Sequence, residues 1–307
     1  MRGLDEARAL YAEYGAPMLH ERFPDWEGRI AVGLVGHGSE CFGFDDELSR
    51  DHDFPQGFCL WLDNETDRAI GVPLARAYRA LPFGAARERS AMGEVSRGVL
   101  RIDAFYRRYT GSAGAPESVM QWLSLPAHAL AEATNGEVFR DDQGTFTAIR
   151  EALLSGMPED VRLKKLAARV ITMAQAGQYN YPRCVRHGEQ GAAMLALTEF
   201  VSAACAAVYL LNRRHMPYYK WQFRAMEGLE KLSNLREALE FLLTADNDEQ
   251  GRILKSAVVE DVCASVVREL KNQHLTHGSW DYLEPHAYEI IEHIESKELR
   301  SMHIMEG

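Results

Sequence analysis

The chain has 307 residues, 46% of them hydrophobic and 26% charged, enough apolar content for two buried cores. A formal charge of −11 argues against general affinity for polyanionic nucleic acid, which depends on clustered Lys and Arg. Cys41, Cys59, Cys184, Cys205 and Cys263 are scattered, odd in number and free of any Cys-x-x-Cys pair, so free thiols in a cytoplasmic protein are expected rather than a disulfide framework.

Residues 4–11 are charged and amphipathic, without the apolar core of a signal peptide. The first strand is predicted at 30–35, a nearly continuous apolar run rich in β-branched residues. It ends at Gly36-His37-Gly38-Ser39, whose small residues and backbone N–H groups suit close approach to phosphate oxygens. Eleven residues further on stands Asp51-His52-Asp53-Phe54. In an extended strand, residues two apart share a face, so Asp51 and Asp53 would project together and share one or two metal ions. A second apolar strand is predicted at 54–62, then a helix at 68–79.

A third strand is predicted at 97–103, with Arg101 and Asp103 alternating onto one face and Leu100, Ile102 and Ala104 onto the other. Asp103 is the candidate third carboxylate, a metal ligand and base, and Arg101 a candidate phosphate contact. Glu94 is a rival for the carboxylate role, and Asp103 is alternatively a cap of the helix that follows. Residues 137–139 are predicted to add an edge strand, and 145–154 a helix. At 155–160 a glycine stops one helix and a proline begins the next, dividing the chain into domains at 1–157 and 158–307. Beyond the division, helices are predicted near 158–177, 189–214, 217–231, 234–244 and 248–274. The expected fold class is α+β: a small mixed sheet domain followed by an all-α helical bundle.

Residues 192–211 carry a single charge and are long enough to suggest a membrane span. Their alanines and the polar Thr198, Glu199 and Ser202 favour a buried bundle helix instead, so no membrane is expected. Gln178-Tyr179-Asn180-Tyr181-Pro182-Arg183 is predicted to interrupt two helices. Pro217 precedes Tyr218, Tyr219, Lys220 and Trp221, where Lys220 would hold a triphosphate as a point charge and the aromatics would stack or pack. The histidines form no His-x-x-x-His or His-Glu-x-x-His pattern, so zinc is not expected.

Strand, glycine turn, linking segment and a strand with Asp-x-Asp together resemble the nucleotidyltransferase superfamily of polymerase-beta-like enzymes. Gly38, Ser39, Asp51, Asp53 and Phe54 match that family's signature, whereas His52 stands where an apolar residue is usual. The segments 38–45, 49–53 and 217–221 are similar, more narrowly, to uncharacterised bacterial proteins that join this fold to a C-terminal helical domain. Kanamycin-type nucleotidyltransferases are a looser likeness. The resemblance implies a cytoplasmic, magnesium-dependent enzyme with a catalytic domain at 1–157 and a substrate-binding or lid domain at 158–307. It would use two Mg2+ ions and a nucleoside triphosphate, ATP foremost, and transfer the nucleoside monophosphate to a hydroxyl or amine. The resemblance names no acceptor, and the net charge of −11 favours a small molecule over nucleic acid; oligomeric state is not encoded in any pattern. Lys220 gains its expected role from the resemblance.

Two other classes remain open. One is a catalytically quiet nucleotide-binding, regulatory or antitoxin-type module that keeps the fold. The other is a helical ribonuclease, for which Arg268 and His274 fit a loose Arg-to-His spacing on a predicted helix.

Overall fold

The computed structural model describes residues 2–47, 56–84 and 97–307. Asp51, Asp53 and Glu94 lie outside the described residues, as do His52 and Phe54. The chain forms two compact units, one of residues 1–116 and 128–156, the other of residues 117–127 and 157–307.

The first unit is built on a mixed sheet, four-stranded among the described residues, in the order β3-β2-β1-β4. Helices α1 (Gly3–Leu10) and α2 (Ala16–Arg22) lead into β1 (Ala31–Leu34). All four β1 residues are buried, as their apolar run requires. β2 (Cys59–Leu62) runs antiparallel to β1, with Val32 opposite Leu60. Helix α3 (Asn64–Arg79) then crosses over to β3 (Gly98–Arg101), which pairs parallel with β2. Its start is fixed by Asp63, whose carboxylate accepts from the Thr66 amide at 2.7 Å. Beyond β3 come α4 (Ile102–Thr110) and α6 (Ala127–Thr134), and β4 (Glu137–Arg140) closes the other edge, antiparallel to β1; α5 (Val119–Ser124), between α4 and α6 in the chain, belongs to the second unit.

Alternation along β2 gives the sheet two covered faces. Leu60 and Leu62 join Leu19, Ile30, Val32, Leu34, Leu74 and Tyr78 in one core. Trp61 points the other way, stacking on Phe146 of α7 (Thr145–Ser155) with ring centroids 4.0 Å apart and meeting Phe105 of α4 edge-on at 5.5 Å. Tyr78 locks the entry to β2, accepting from the Phe58 amide at 3.1 Å and donating to the Phe58 carbonyl at 2.8 Å.

In the second unit, α8 (Glu159–Met173) packs against α10 (Gln190–Leu211) and α14 (Leu283–Glu292). The interruption expected at 178–183 is instead a widened helical turn, with π-type bonding over Ala174–Asn180 running into α9 (Tyr181–Arg186). There the backbone bonds widen from the i→i+4 to the i→i+5 pattern without the helix ending. By length and composition α10 could cross a membrane, but 61% of its most apolar window is buried within the protein. The remaining helices are α11 (Tyr219–Met226), α12 (Leu235–Thr244), α13 (Glu249–Asn272) and α15 (Lys297–Ser301).

Candidate functional site

The strand β1 delivers the chain into a turn that glycine makes possible. Gly36 and Gly38 have φ of +123° and +125°, a region L side chains rarely enter. An added Cβ at Gly36 would lie 2.9 Å from the Tyr109 hydroxyl, and one at Gly38 would lie 2.5 Å from both carboxylate oxygens of Glu40. Asn135 braces the turn: its Oδ1 accepts from the Gly36 amide and its Nδ2 donates to the Gly36 carbonyl, both at 2.8 Å. His37 is exposed and faces Glu132 at 3.6 Å, which keeps it at the rim. Gly38 and Ser39 are half-buried. The Ser39 carbonyl accepts from the Phe42 and Phe44 amides, starting a single 3-10 turn over Glu40–Phe42.

Beneath the turn lies a buried ion pair. Glu40 and Arg97 hydrogen-bond directly, with side chains 7% and 4% exposed. Arg97 immediately precedes β3, so the pair ties the turn to the strand two places away in the sheet. Cys41 and Cys59 flank the guanidinium; burial pushes both thiols up, so they stay protonated and unreactive. Glu40, Arg97, Leu34, Gly3, Glu6, Ala7, Gln56 and Gly57 enclose a cavity of about 10 Å³.

At the far end of β3 the structure revises one expectation. The strand stops at Arg101 and the chain turns into α4 at Ile102, so Asp103 occupies the first turn of a helix rather than a strand position. Arg101 and Asp103 nonetheless meet. Arg101 Nε donates to Asp103 Oδ1 at 2.9 Å, and a second guanidinium nitrogen donates to Oδ2 at 3.0 Å. Partial burial pulls the Asp103 carboxyl upward, but the Arg101 contact, together with hydrogen bonds from the Ala104 amide and the Asn64 side chain, outweighs it and leaves the pKa below the usual carboxylate range. The helix N-terminus favours the same charge.

An ionised carboxylate has the right chemistry for magnesium, a hard cation that takes oxygen ligands. Each Asp103 oxygen accepts one hydrogen bond from Arg101, a contact that by itself leaves each a second lone pair for a cation. Among the described residues no group of three His, Cys, Asp or Glu side chains converges to hold a metal ion. Gly38 and Ser39 share the β1 turn, and Arg101 and Asp103 share the β3–α4 junction; both places belong to the first unit. Lys220 belongs to the second unit, exposed in the first turn of α11, with its Nζ 6.0 Å from the Trp221 ring centroid. Beside it the rings of Tyr218 and Tyr219 lie 4.3 Å apart. The Arg268 to His274 spacing does not stay on one helix, since α13 ends at Asn272 and His274 adopts a left-handed φ of +59°.

Sequence reasoning passed over Asn135, Glu40 and Arg97. Glu40 sits one residue beyond the Gly-Ser pair, a signal available in the sequence; its buried partner, 57 residues away, left none.

Residues 122–222 match the family model described as Domain of unknown function (DUF4037). The matched span runs from α5 to α11 and includes Asn135 and Lys220. No curated protein and no solved structure matches the chain.

Proposed function

We propose that the chain is a magnesium-dependent nucleotidyltransferase of the polymerase-beta-like fold. The observation that carries this reading is the Gly38-Ser39 turn at the carboxyl end of β1, with the Asp51 and Asp53 segment leading into β2, the antiparallel neighbour of β1. The β1–β2 antiparallel and β2–β3 parallel pairings bring the carboxyl end of β1 and the β3–α4 junction that carries Asp103 into one sheet.

In this reading Gly38 and Ser39 cradle the β and γ phosphates, and Asp51, Asp53 and Asp103 hold Mg2+. When bound, the metal supplies charge that offsets the polyphosphate and the leaving group. The acceptor oxygen or nitrogen attacks the α phosphorus, the bond to the β-phosphate bridging oxygen breaks, and pyrophosphate leaves with those electrons. Asp103, held ionised by Arg101, takes the acceptor proton. Arg101 then turns from Asp103 toward a phosphate oxygen. Lys220 lies in the second unit, with Tyr218 and Tyr219 beside it, and the triphosphate contact expected of it rests on the sequence resemblance alone. The acceptor is a small molecule bearing a hydroxyl or amine.

The test is pyrophosphate release from each nucleoside triphosphate in the presence of Mg2+ and a panel of small hydroxyl and amine acceptors. Release that requires Mg2+ and falls at least a hundredfold in Asp53→Asn is expected; turnover unchanged in Asp53→Asn refutes the metal site. A second reading, a nucleotide-binding module without transfer, draws on the two-pronged hold of Arg101 on Asp103, which occupies the candidate base. It expects Mg2+-dependent nucleotide binding with no pyrophosphate released.

A further inference from the structure

The geometry points to Glu40 and Arg97 as a positioning pair that sets the conformation of the Gly36-to-Ser39 turn and thereby its capacity to bind polyphosphate. The turn's part in this inference is geometric; its consequence for nucleotide rests on the transferase reading.

The Glu40 side chain fills the space a Cβ on Gly38 would need, with both carboxylate oxygens 2.5 Å from that point. The carboxylate therefore lies directly against the backbone of the turn. Buried there alone, it would be strongly destabilising, and it would repel a phosphate brought to the same backbone. Arg97 answers both problems. Its planar guanidinium stays charged at any working pH and hydrogen-bonds the carboxylate inside the protein. Arg97 is anchored in turn by its place at the head of β3, whose next residue, Gly98, donates to the Phe58 carbonyl at 3.0 Å. The turn is thus referenced to the sheet through a side-chain pair, in addition to the Asn135 brace on Gly36.

The small cavity beside the pair extends this connection. Its walls come from α1 through Gly3, Glu6 and Ala7, from the turn through Glu40, and from Gln56 and Gly57 at the entry to β2. About 10 Å³ is room for a single water. Gln56 Nε2 donates to Glu6 Oε1 at 2.7 Å on the same wall. The cavity beside the buried pair therefore borders the turn, the first helix and the entry to β2.

The experiment compares wild type with Glu40→Gln, Arg97→Lys and Arg97→Met, well below each melting temperature. Leu153→Ala, which truncates a buried residue of α7, serves as a control for general destabilisation. Two readouts are taken: hydrogen exchange of the backbone at 34–42, and Kd for each Mg2+–nucleoside triphosphate. Positioning expects exchange at 34–42 to quicken at least tenfold in Glu40→Gln and Arg97→Met, and less in Arg97→Lys, which keeps the charge. It also expects Kd to rise at least tenfold in Glu40→Gln and Arg97→Met, with Leu153→Ala near wild type. A purely electrostatic pair would give tighter binding in Glu40→Gln, because the carboxylate charge is removed while Arg97 remains; that result overturns the inference. Unchanged exchange at 34–42 in both Glu40→Gln and Arg97→Met overturns it as well. If wild type binds no triphosphate, the transferase reading fails, and the exchange data alone decide the role of the pair.

Discussion

Asn135 grips Gly36 with both ends of its side-chain amide, accepting from the amide and donating to the carbonyl at 2.8 Å each. An asparagine between α6 and β4 thus supplies the two hydrogen bonds that β1 loses when it ends. Asn135→Asp keeps the acceptor and loses the donor, leaving the Gly36 carbonyl facing a carboxylate. A loss of about 1–3 kcal/mol in urea-induced unfolding is expected, the range for an unsatisfied, partly buried polar group. A change below about 0.5 kcal/mol would show that water replaces the donor without penalty.

Gly38 and Gly43 separate two reasons for conserving a glycine's geometry. Gly43 has φ of +69° and open space around its would-be Cβ, whereas Gly38 has φ of +125° and Glu40 in the way. Gly43→Ala should cost about 1–2 kcal/mol, the penalty of a left-handed L residue. Gly38→Ala should cost more and should displace Glu40 from Arg97. Equal losses in thermal melts of the two variants would mean that the Glu40 side chain moves aside freely.

Arg101 and Asp103 separate stability from chemistry. The Arg101 side chain is 47% exposed, so solvent screens its ion pair and Arg101→Ala should leave the melting temperature almost unchanged. Asp103→Asn should also fold normally but lose pyrophosphate release by at least a hundredfold. Retained turnover in Asp103→Asn would pass the third carboxylate's role to another residue, with Glu94 the first to test.

Acid stability in the second unit should depend on Glu159. Hydrogen bonding from Arg162, assisted by Arg213, lowers its pKa from 4.5 to about 2 despite some desolvation. A depressed carboxylate contributes stability that is full above the unfolded value near 4.5 and is lost as pH falls toward 2. The melting temperature of Glu159→Gln should therefore lie below wild type at pH 6 and converge with it near pH 2. A constant gap across that window would assign the effect to packing instead of charge.

Lys164 is a buried cation used as a clasp, donating to the Met302 carbonyl at 3.0 Å and the His303 carbonyl at 2.8 Å. Lys164→Met should free the C-terminal segment at a cost of about 2 kcal/mol, the scale of hydrogen bonds to a charged group. Faster hydrogen exchange at 300–307 is the readout. Unaltered exchange there would show that Arg169, which donates to the Gly307 carbonyl, holds the segment by itself.

Strong periodicities were legible in the sequence. The β1 run, the apolar strand before Asp63 and the long helices α10 and α13 follow from local patterns that burial rewards. The sequence division was placed at 1–157 and 158–307, whereas the two compact units comprise 1–116 with 128–156 and 117–127 with 157–307. Less legible was the β3–α4 junction, because Leu100-Arg101-Ile102-Asp103 alternates as a strand while the next two turns repeat as a helix. The continuous π turn at Ala174–Asn180 was hidden because Gly177 and Asn180 look like breakers. In the site, Gly38 and Ser39 were readable as a turn from residue type alone. The pairing of Glu40 with Arg97 and the grip of Asn135 on Gly36 arise from contacts 57 and 99 residues apart, which no local pattern encodes.

The most direct test of the transferase assignment is calorimetric titration of each nucleoside triphosphate, with Mg2+, into wild type and the Asp51→Asn/Asp53→Asn double variant. Binding that requires Mg2+ and disappears in the variant is the expected result, and it would identify the preferred base. Binding that persists undiminished in the variant, or no binding to any triphosphate by wild type, would contradict the assignment.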